Sequence, residues 1–300
     1  LIRLGTRASA LALAQTEQIA LLLGDCEVVP IDTRGDRADS DADDKSRWVA
    51  ELEQALVAGE IDLAVHSAKD VPGELADGLA LHGAPARASA EDVLCGIGAL
   101  ADLRPGARVG TSSLRRLAQL RAAREDLEVV PIRGNVDTRL RKLDDPRERL
   151  DAIVLARAGL ERLGRESEAG ATLPVERFVP APGQGIIALE GRADDERIRG
   201  AVQAINDADT FACLLAERAL ARELGASCHT PLGAHAVPPG CGCLNLRAWV
   251  GLPDGSEWAS DELLGGFYDP EALGRRVAER MLAVGAGELL AQAAEMASTR

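Results

Sequence analysis

Two neighbouring residues of opposite charge, Lys69 and Asp70, stand in the run His66-Ser67-Ala68-Lys69-Asp70-Val71-Pro72. The run follows the apolar stretch Ile61 to Val65, so both side chains leave the end of a buried-type strand. A carboxylate beside an ammonium in an anion-binding cleft can stabilise a cation or move a proton. On an open surface the same pair would contribute little. His66, still within the strand end, reads more readily as a hydrogen-bonded structural histidine than as a base. Three further segments gather groups that hold anions: Gly5-Thr6-Arg7-Ala8-Ser9, Gly110-Thr111-Ser112-Ser113-Leu114-Arg115-Arg116, and Arg133-Gly134-Asn135-Val136-Asp137-Thr138-Arg139. Each puts free N–H groups, hydroxyls and guanidiniums at a strand-to-helix turn. A capped helix with solvated arginines would look the same at any one of them. Three together indicate a ligand with several negative groups, and carboxylates or phosphates would both fit. No Gly-Lys-Ser/Thr follows, so none is a P-loop. Cys228, in Gly225-Ala226-Ser227-Cys228-His229, sits among small residues; such a thiol can be a nucleophile, an attachment point or inert.

The elements that must carry these groups alternate between strand and helix. Ile2 to Gly5 reads as a strand, with Ser9 as the N-cap of a helix that Gly24 closes. Glu27 to Asp32 is a strand, and Trp48, Val49, Leu52, Ala55 and Leu56 have helical spacing. The pattern then repeats with strands at Arg108, Glu128 and Leu150, each feeding a helix. Such alternation predicts βα units and mostly parallel sheets, whose ligands bind at the carboxyl ends of the strands. Loose stretches at 84–92 and 178–186 are the expected hinges. The last hundred or so residues differ. A helix over 209–223, strands over 244–252 and 256–263, and helices over 270–283 and 287–296 predict a small α+β domain. The acidic stretch Asp36 to Arg47 reads as a mobile loop.

Charge is distributed unevenly over the 300 residues, whose net is −14. Residues 1–107 carry −10 and residues 166–300 carry −9, but residues 108–165 carry +5. A basic middle in an acidic chain indicates a local anion site, not the broad basic surface that nucleic acid or an anionic membrane requires. Aromatic residues, at 2%, are too few for a stacking platform. Of the 34 basic residues only Lys45, Lys69 and Lys142 are lysines. No apolar run is long enough to span a membrane. No charged region followed by a long apolar stretch opens the chain. Six cysteines are too sparse for a disulfide scaffold, and Cys241-Gly242-Cys243 is too close for a zinc knuckle. A soluble, reduced, cytoplasmic protein without metal is expected.

Taken together and in order, these segments resemble the hydroxymethylbilane synthase, or porphobilinogen deaminase, family. The resemblance extends to Thr33-Arg34-Gly35-Asp36, Ala156-Arg157-Ala158-Gly159-Leu160, Pro180-Ala181-Pro182-Gly183-Gln184-Gly185 and the Cys228 loop, and so covers nearly the whole chain. It implies an enzyme that joins four porphobilinogen molecules head to tail, releases ammonia at each step, and frees the linear hydroxymethylbilane with water. It implies a dipyrromethane cofactor held by a thioether to Cys228, which is then an anchor and not a turnover nucleophile. It implies that Asp70 is the catalytic carboxylate. By the same resemblance, cofactor and substrate contacts fall on Arg7, Ser9, Lys69, Thr111, Ser112, Ser113, Arg115, Arg116, Arg133, Gly134, Arg139, Arg162 and Gln184. The implied fold is α/β: two periplasmic-binding-protein-like α/β domains, 1–86 with 186–204 and 90–180, plus a smaller C-terminal α+β domain, 207–300. The implied state is a monomer with porphobilinogen as small-molecule partner.

The sequence departs from the family at Asp43-Asp44-Lys45-Ser46-Arg47-Trp48, where a glycine-rich Gly-Gly-Lys-Gly-Leu-Phe pattern is usual, and at Ala226-Ser227, where glycines often precede the cysteine. A non-catalytic carboxylate-binding protein of the same two-domain fold is the main alternative, since fold does not fix function. A phosphoribosyl-transferring enzyme would also use such cradles but leaves the Cys228 loop without a purpose. The Asp70 role has a direct consequence. Asp70→Asn keeps the shape and removes the charge, so turnover should fall by orders of magnitude while the protein keeps its cofactor mass. Near-normal activity in that variant removes Asp70 from the chemistry.

Overall fold

A computed structural model describes residues 1–33, 46–226, 230–240 and 242–298. Lys45 and most of the acidic stretch before it, Ser227 to His229 with the expected anchor Cys228, and Cys241 lie outside the described residues. Two sheets of five strands each share one plan. In the first, β1 (Ile2–Arg7) lies between β2 (Cys26–Ile31) and β3 (Leu63–Ser67) and runs parallel to both. In the second, β6 (Arg108–Gly110) lies between β7 (Glu128–Val130) and β8 (Ala152–Ala156) and is again parallel to both. The helices follow the expected strands. Helix α1 (Ala10–Leu23) leaves β1, and α2 (Ser46–Val57) precedes β3. Helix α3 (Leu114–Ala123) leaves β6, α4 (Val136–Leu143) follows β7, and α5 (Arg157–Arg162) follows β8.

The expectation of mostly parallel sheets holds for four of the five strands in each sheet; one inserted strand in each runs against the rest. In the first, β10 (Ile187–Arg192) inserts between β3 and β4 (Leu79–Gly83) and is antiparallel to both. In the second, β5 (Asp92–Cys95) inserts between β8 and β9 (Ala171–Leu173), antiparallel to both. The chain crosses from the first sheet to the second after β4 and returns before β10. A strand that enters a sheet from its neighbouring lobe arrives from the opposite end, which reverses its direction. These strands are short, and a four-residue run such as β5 carries little periodicity to read.

The third unit is a three-stranded antiparallel sheet of β11 (Leu232–Gly240), β12 (Cys243–Gly251) and β13 (Trp258–Gly266). The first of these strands was absent from the sequence reading. Helices α7 (Ala208–Glu223), α8 (Pro270–Ala283) and α9 (Ala286–Ser298) cover one face. They bury Leu244, Leu246 and Val250 of β12 against Leu220, Val277 and Met281. The short α6 (Glu196–Gln203) packs Ile198 and Val202 on the first sheet. The architecture is therefore two α/β lobes and a small α+β unit.

One fully buried carboxylate joins all three units. Glu217 of α7 accepts hydrogen bonds from the Gly183 N–H at 2.6 Å, the Ala236 N–H at 2.7 Å and the Arg87 guanidinium at 2.7 Å. Arg87, on the first crossing, also donates to the Gln184 carbonyl on the return crossing at 2.9 Å. Both crossings are thus tied to the third unit at a single ion pair. Removing one partner of such a pair leaves a buried charge uncompensated. Arg87→Met is expected to lower unfolding free energy by about 3–5 kcal/mol, read from the urea midpoint. A midpoint unchanged from the parent would show that the pair does not hold the units.

Candidate functional site: an arginine-lined cleft

The carboxyl ends of β1, β3, β6, β7 and β8 converge on one cleft of about 760 Å³ between the two lobes. The local sequence accounts for each approach. Ser9 caps α1 by accepting from the Ala12 N–H, and Arg7 projects from the end of β1 just before it. Asn135 caps α4 by accepting from the Thr138 N–H at 2.9 Å, which sets the turn that presents Arg133 and Gly134. Gly134, at φ 115°, lies where a side chain would strike Thr138, so the turn needs glycine. Arg139 reaches back from α4 to donate to the Gly134 carbonyl at 2.8 Å. Arg162 of α5 donates to the Gly185 carbonyl at 2.8 Å, while its buried Nε has no acceptor among the described residues.

Lys69 and Asp70 sit on the opposite wall, in the 3-10 turn Ala68–Asp70 that ends β3. The turn is pressed by Gly183, whose φ is 76°. A Cβ there would lie 2.9 Å from the Ala68 carbonyl carbon and 3.0 Å from the Lys69 nitrogen. Burial pushes the Lys69 ammonium down to about 8, and Arg116 adds repulsion, against partial compensation from Asp70 and Asp92. Burial likewise lowers Arg139 and Arg162 to about 10, so both stay cations at neutral pH.

Asp92 organises the wall behind the cleft. Its Oδ1 accepts from Arg116 Nη2 at 2.7 Å and from Gln184 Nε2 at 2.9 Å, and its Oδ2 lies 2.8 Å from Arg115 Nη2. Burial alone would raise this carboxyl, but Arg115 and Arg116 hold it well below the usual carboxylate range. Arg115 is completed by the Val179 carbonyl at 2.9 Å and Arg116 by the Val154 carbonyl at 3.0 Å.

The expected residues therefore divide. Arg7, Ser9, Lys69, Asp70, Ser112 and Arg116 line the cleft, and so do Arg133, Gly134, Arg139 and Arg162. Thr111, Ser113, Arg115 and Gln184 are not brought to it. Ser113 caps α3 and Thr111 Oγ1 accepts from the Ser113 N–H at 3.2 Å. Arg115 and Gln184 turn to Asp92. Ser112 faces the cleft but donates its hydroxyl hydrogen to the Ile132 carbonyl at 2.8 Å, tying two turns together. Asp92 itself was missed; an acid heading the apolar run Val93-Leu94-Cys95 was its only signal. Gln15 and Ser67, 2.9 Å apart at Nε2 and Oγ, also line the cleft. Their signal was a polar residue on the apolar face of α1, which also buries Ala12 and Ile19. Asp137 lines the mouth, paired with Arg165 at 2.8 Å.

Six cations facing a single interlobe cleft, with Asp70 on one of its turns, define an α/β protein built to bind an anionic ligand. Residues 2–200 match the family described as porphobilinogen deaminase, dipyromethane cofactor binding domain, and residues 211–283 match its C-terminal domain. The chain is 43% identical over 302 residues to a porphobilinogen deaminase of Brevibacillus brevis, covering 97% of this chain and 96% of that protein. It is 45% identical over 303 residues to one of Xanthomonas euvesicatoria, covering 97% and 99%. A periplasmic substrate-binding protein of an ABC transporter from Coxiella burnetii aligns with a TM-score of 0.43 at 16% identity, over 68% of this chain and 92% of that one. The chain belongs to the porphobilinogen deaminase family. It is an enzyme of that family with a dipyrromethane cofactor, not a non-catalytic binding protein. The residues present fit such a group, since its carboxylate arms need cationic donors and the buried Arg162 Nε is one still lacking an acceptor.

A ligand anion held by Lys69 should bind in a pH-dependent way. Lys69 is a cation below pH 8 and loses its proton as pH rises through about 8, so its contribution is complete at low pH and lost above. The dissociation constant of a propionate-bearing pyrrole should rise several-fold from pH 7 to pH 9. Lys69→Arg, charged throughout, should flatten that rise. A constant affinity over this range in the parent would exclude Lys69 from anion binding.

Proposed function

We propose that the cleft deaminates porphobilinogen and joins it head to tail into linear hydroxymethylbilane, with Asp70 as the catalytic carboxylate. The observation that carries this reading is the position of Asp70, the acid of the Lys69–Asp70 turn, in a cleft lined by six cations and one other carboxylate, Asp137, which is paired with Arg165. Porphobilinogen brings an acetate and a propionate, and guanidinium forks match carboxylates by two parallel N–H donors. Arg7, Arg133, Arg139 and Arg162 hold these arms, and Arg116 and Lys69 add positive potential beneath them. Ser9, Ser112 and Gly134 shape the turns from which these groups reach. Thr111, Ser113, Arg115 and Gln184 act from behind, through the caps and through Asp92.

With the arms fixed, the substrate's aminomethyl group is oriented for loss of ammonia. That loss leaves a cationic methylene pyrrolenine derived from the substrate. An Asp70 carboxylate near the pyrrole N–H stabilises this cation and takes up the proton released when the new carbon–carbon bond forms. Bound through Cys228, a dipyrromethane would supply the pyrrole carbon to which the first substrate is joined. Arg7, Arg133, Arg139 and Arg162 also hold its carboxylates.

The units 1–86 with 186–204, 90–180 and 207–300 act as the three domains, meeting at the Arg87–Glu217 pair. A monomer is the state that the family resemblance implies. Cys26, Cys95 and Cys213 form no disulfide among the described residues, which agrees with a reducing, cytoplasmic setting. Among the described residues no helix is long and apolar enough to cross a membrane. The −14 net charge disfavours nucleic acid as a partner.

Intact mass tests the reading together with turnover. The purified holoprotein should exceed its chain mass by two linked pyrroles and colour with acidic dimethylaminobenzaldehyde. Cys228→Ser should lose the mass, the colour and porphobilinogen consumption together. A pyrrole-loaded protein that leaves porphobilinogen unconsumed would sink the proposal.

A further inference from the structure

No described residue donates a hydrogen bond to the Asp70 carboxylate, so the place of that carboxylate depends on its backbone. Upstream, the Ala68 N–H donates to the Ile186 carbonyl at 3.0 Å, and Gly183 lies against Ala68 and Lys69. The Val71 N–H donates to the Ala68 carbonyl at 3.2 Å and closes the turn around Asp70. Downstream the chain runs Val71-Pro72-Gly73. Pro72 has no N–H, so this segment cannot anchor itself there by a backbone donor.

A residue of the third unit supplies the anchor. Arg218 Nη1 donates to the Val71 carbonyl at 3.4 Å, and its Nη2 donates to the Pro72 carbonyl at 2.8 Å and the Gly73 carbonyl at 3.1 Å. Three successive carbonyls converge on one guanidinium. The adjacent Glu217 holds the Gly183 N–H on the other flank. Consecutive residues of α7 therefore grip both sides of the turn that carries Lys69 and Asp70. The same helix ends at Glu223, a few residues before Cys228.

We infer that Arg218 is a positioning residue that sets where the Asp70 carboxylate stands in the cleft. The inference rests on the catalytic role proposed for Asp70. Only a planar fork spans the three carbonyls; a lysine ammonium is a point donor and reaches fewer of them. A misplacement of about 1 Å at a reacting group can cost on the order of a hundredfold in rate.

The test compares the holoenzyme forms of the parent, Arg218→Met, Arg218→Lys, Asp70→Asn and the double variant Asp70→Asn with Arg218→Met, each checked by intact mass for cofactor. Arg218→Met should lower kcat about 10- to 100-fold with KM changed less than about twofold. Arg218→Lys should recover part of that loss. In the Asp70→Asn background, Arg218→Met should cost no more than about twofold, because two residues acting through one group are not additive. Parent-like kcat in Arg218→Met, or an undiminished loss in the double variant, overturns the inference. Should Arg218→Met not fold, Arg218→Lys carries the test alone: kcat down about tenfold at unchanged KM supports it, and unchanged kcat overturns it. Full turnover in Asp70→Asn would instead overturn the reading of Asp70, an outcome distinct from the failure of Arg218.

Discussion

Like charges brought together in a cleft repel, and the repulsion grows as water is excluded. Six cations, Arg7, Lys69, Arg116, Arg133, Arg139 and Arg162, face one such space. The structure manages this with a single buried carboxylate. Asp92 neutralises part of the charge of Arg115 and Arg116 from behind and orients both guanidiniums. Its other contact, Gln184, belongs to the return crossing, so the charge balance of the second lobe is tied to the hinge. The remaining cations are spread over four segments, at Arg7, at Lys69, at Arg133 with Arg139, and at Arg162. Their carbonyl partners, Gly134 for Arg139 and Gly185 for Arg162, satisfy part of each guanidinium. The buried Arg162 Nε, without an acceptor among the described residues, is a donor that a ligand carboxylate would satisfy.

The same constraint explains why the third unit is small yet central. A cleft between two lobes opens and closes if its hinges are free, and the Lys69–Asp70 turn lies at the foot of one hinge. Glu217 fastens both crossings, and Arg218 fastens the segment just past Asp70. Both are neighbours on α7, whose other face is the apolar core of the third unit, packed on Leu246 and Val277. Hydrophobic burial there fixes the helix, and the helix fixes the polar contacts. The path from core packing to the acid group is thus continuous through one element.

Much of this was legible from residue order. The Ser9 cap, the strand-to-helix turns and the Lys69–Asp70 pair are local features, set by side chains within a few residues of one another, and they lie where the sequence puts them. The crossing stretches were marked by proline and glycine. What escaped were β4, β5, β9 and β10, because short buried strands lack a periodic signature, and β11 of the third sheet. Asp92, Glu217 and Arg218 escaped for a related reason. Each looks like an ordinary charged residue until its partners arrive from elsewhere in the chain, at separations of 24, 130 and 146 positions.

The sequence by itself therefore determined the chemistry: the acid, the cations and the turns that present them, all encoded in contiguous motifs. Tertiary structure alone decided their division of labour. Arg115 and Arg116 are adjacent and identical in type. Yet the first is buried against Asp92 and the Val179 carbonyl, while the second, on the same carboxylate, also faces the cleft. Thr111 and Ser113 are drawn into capping and Gln184 into the hinge. Which hydroxyl or guanidinium reaches a ligand depends on which buried acceptors lie within about 3 Å of it, and only the folded chain brings those acceptors into range.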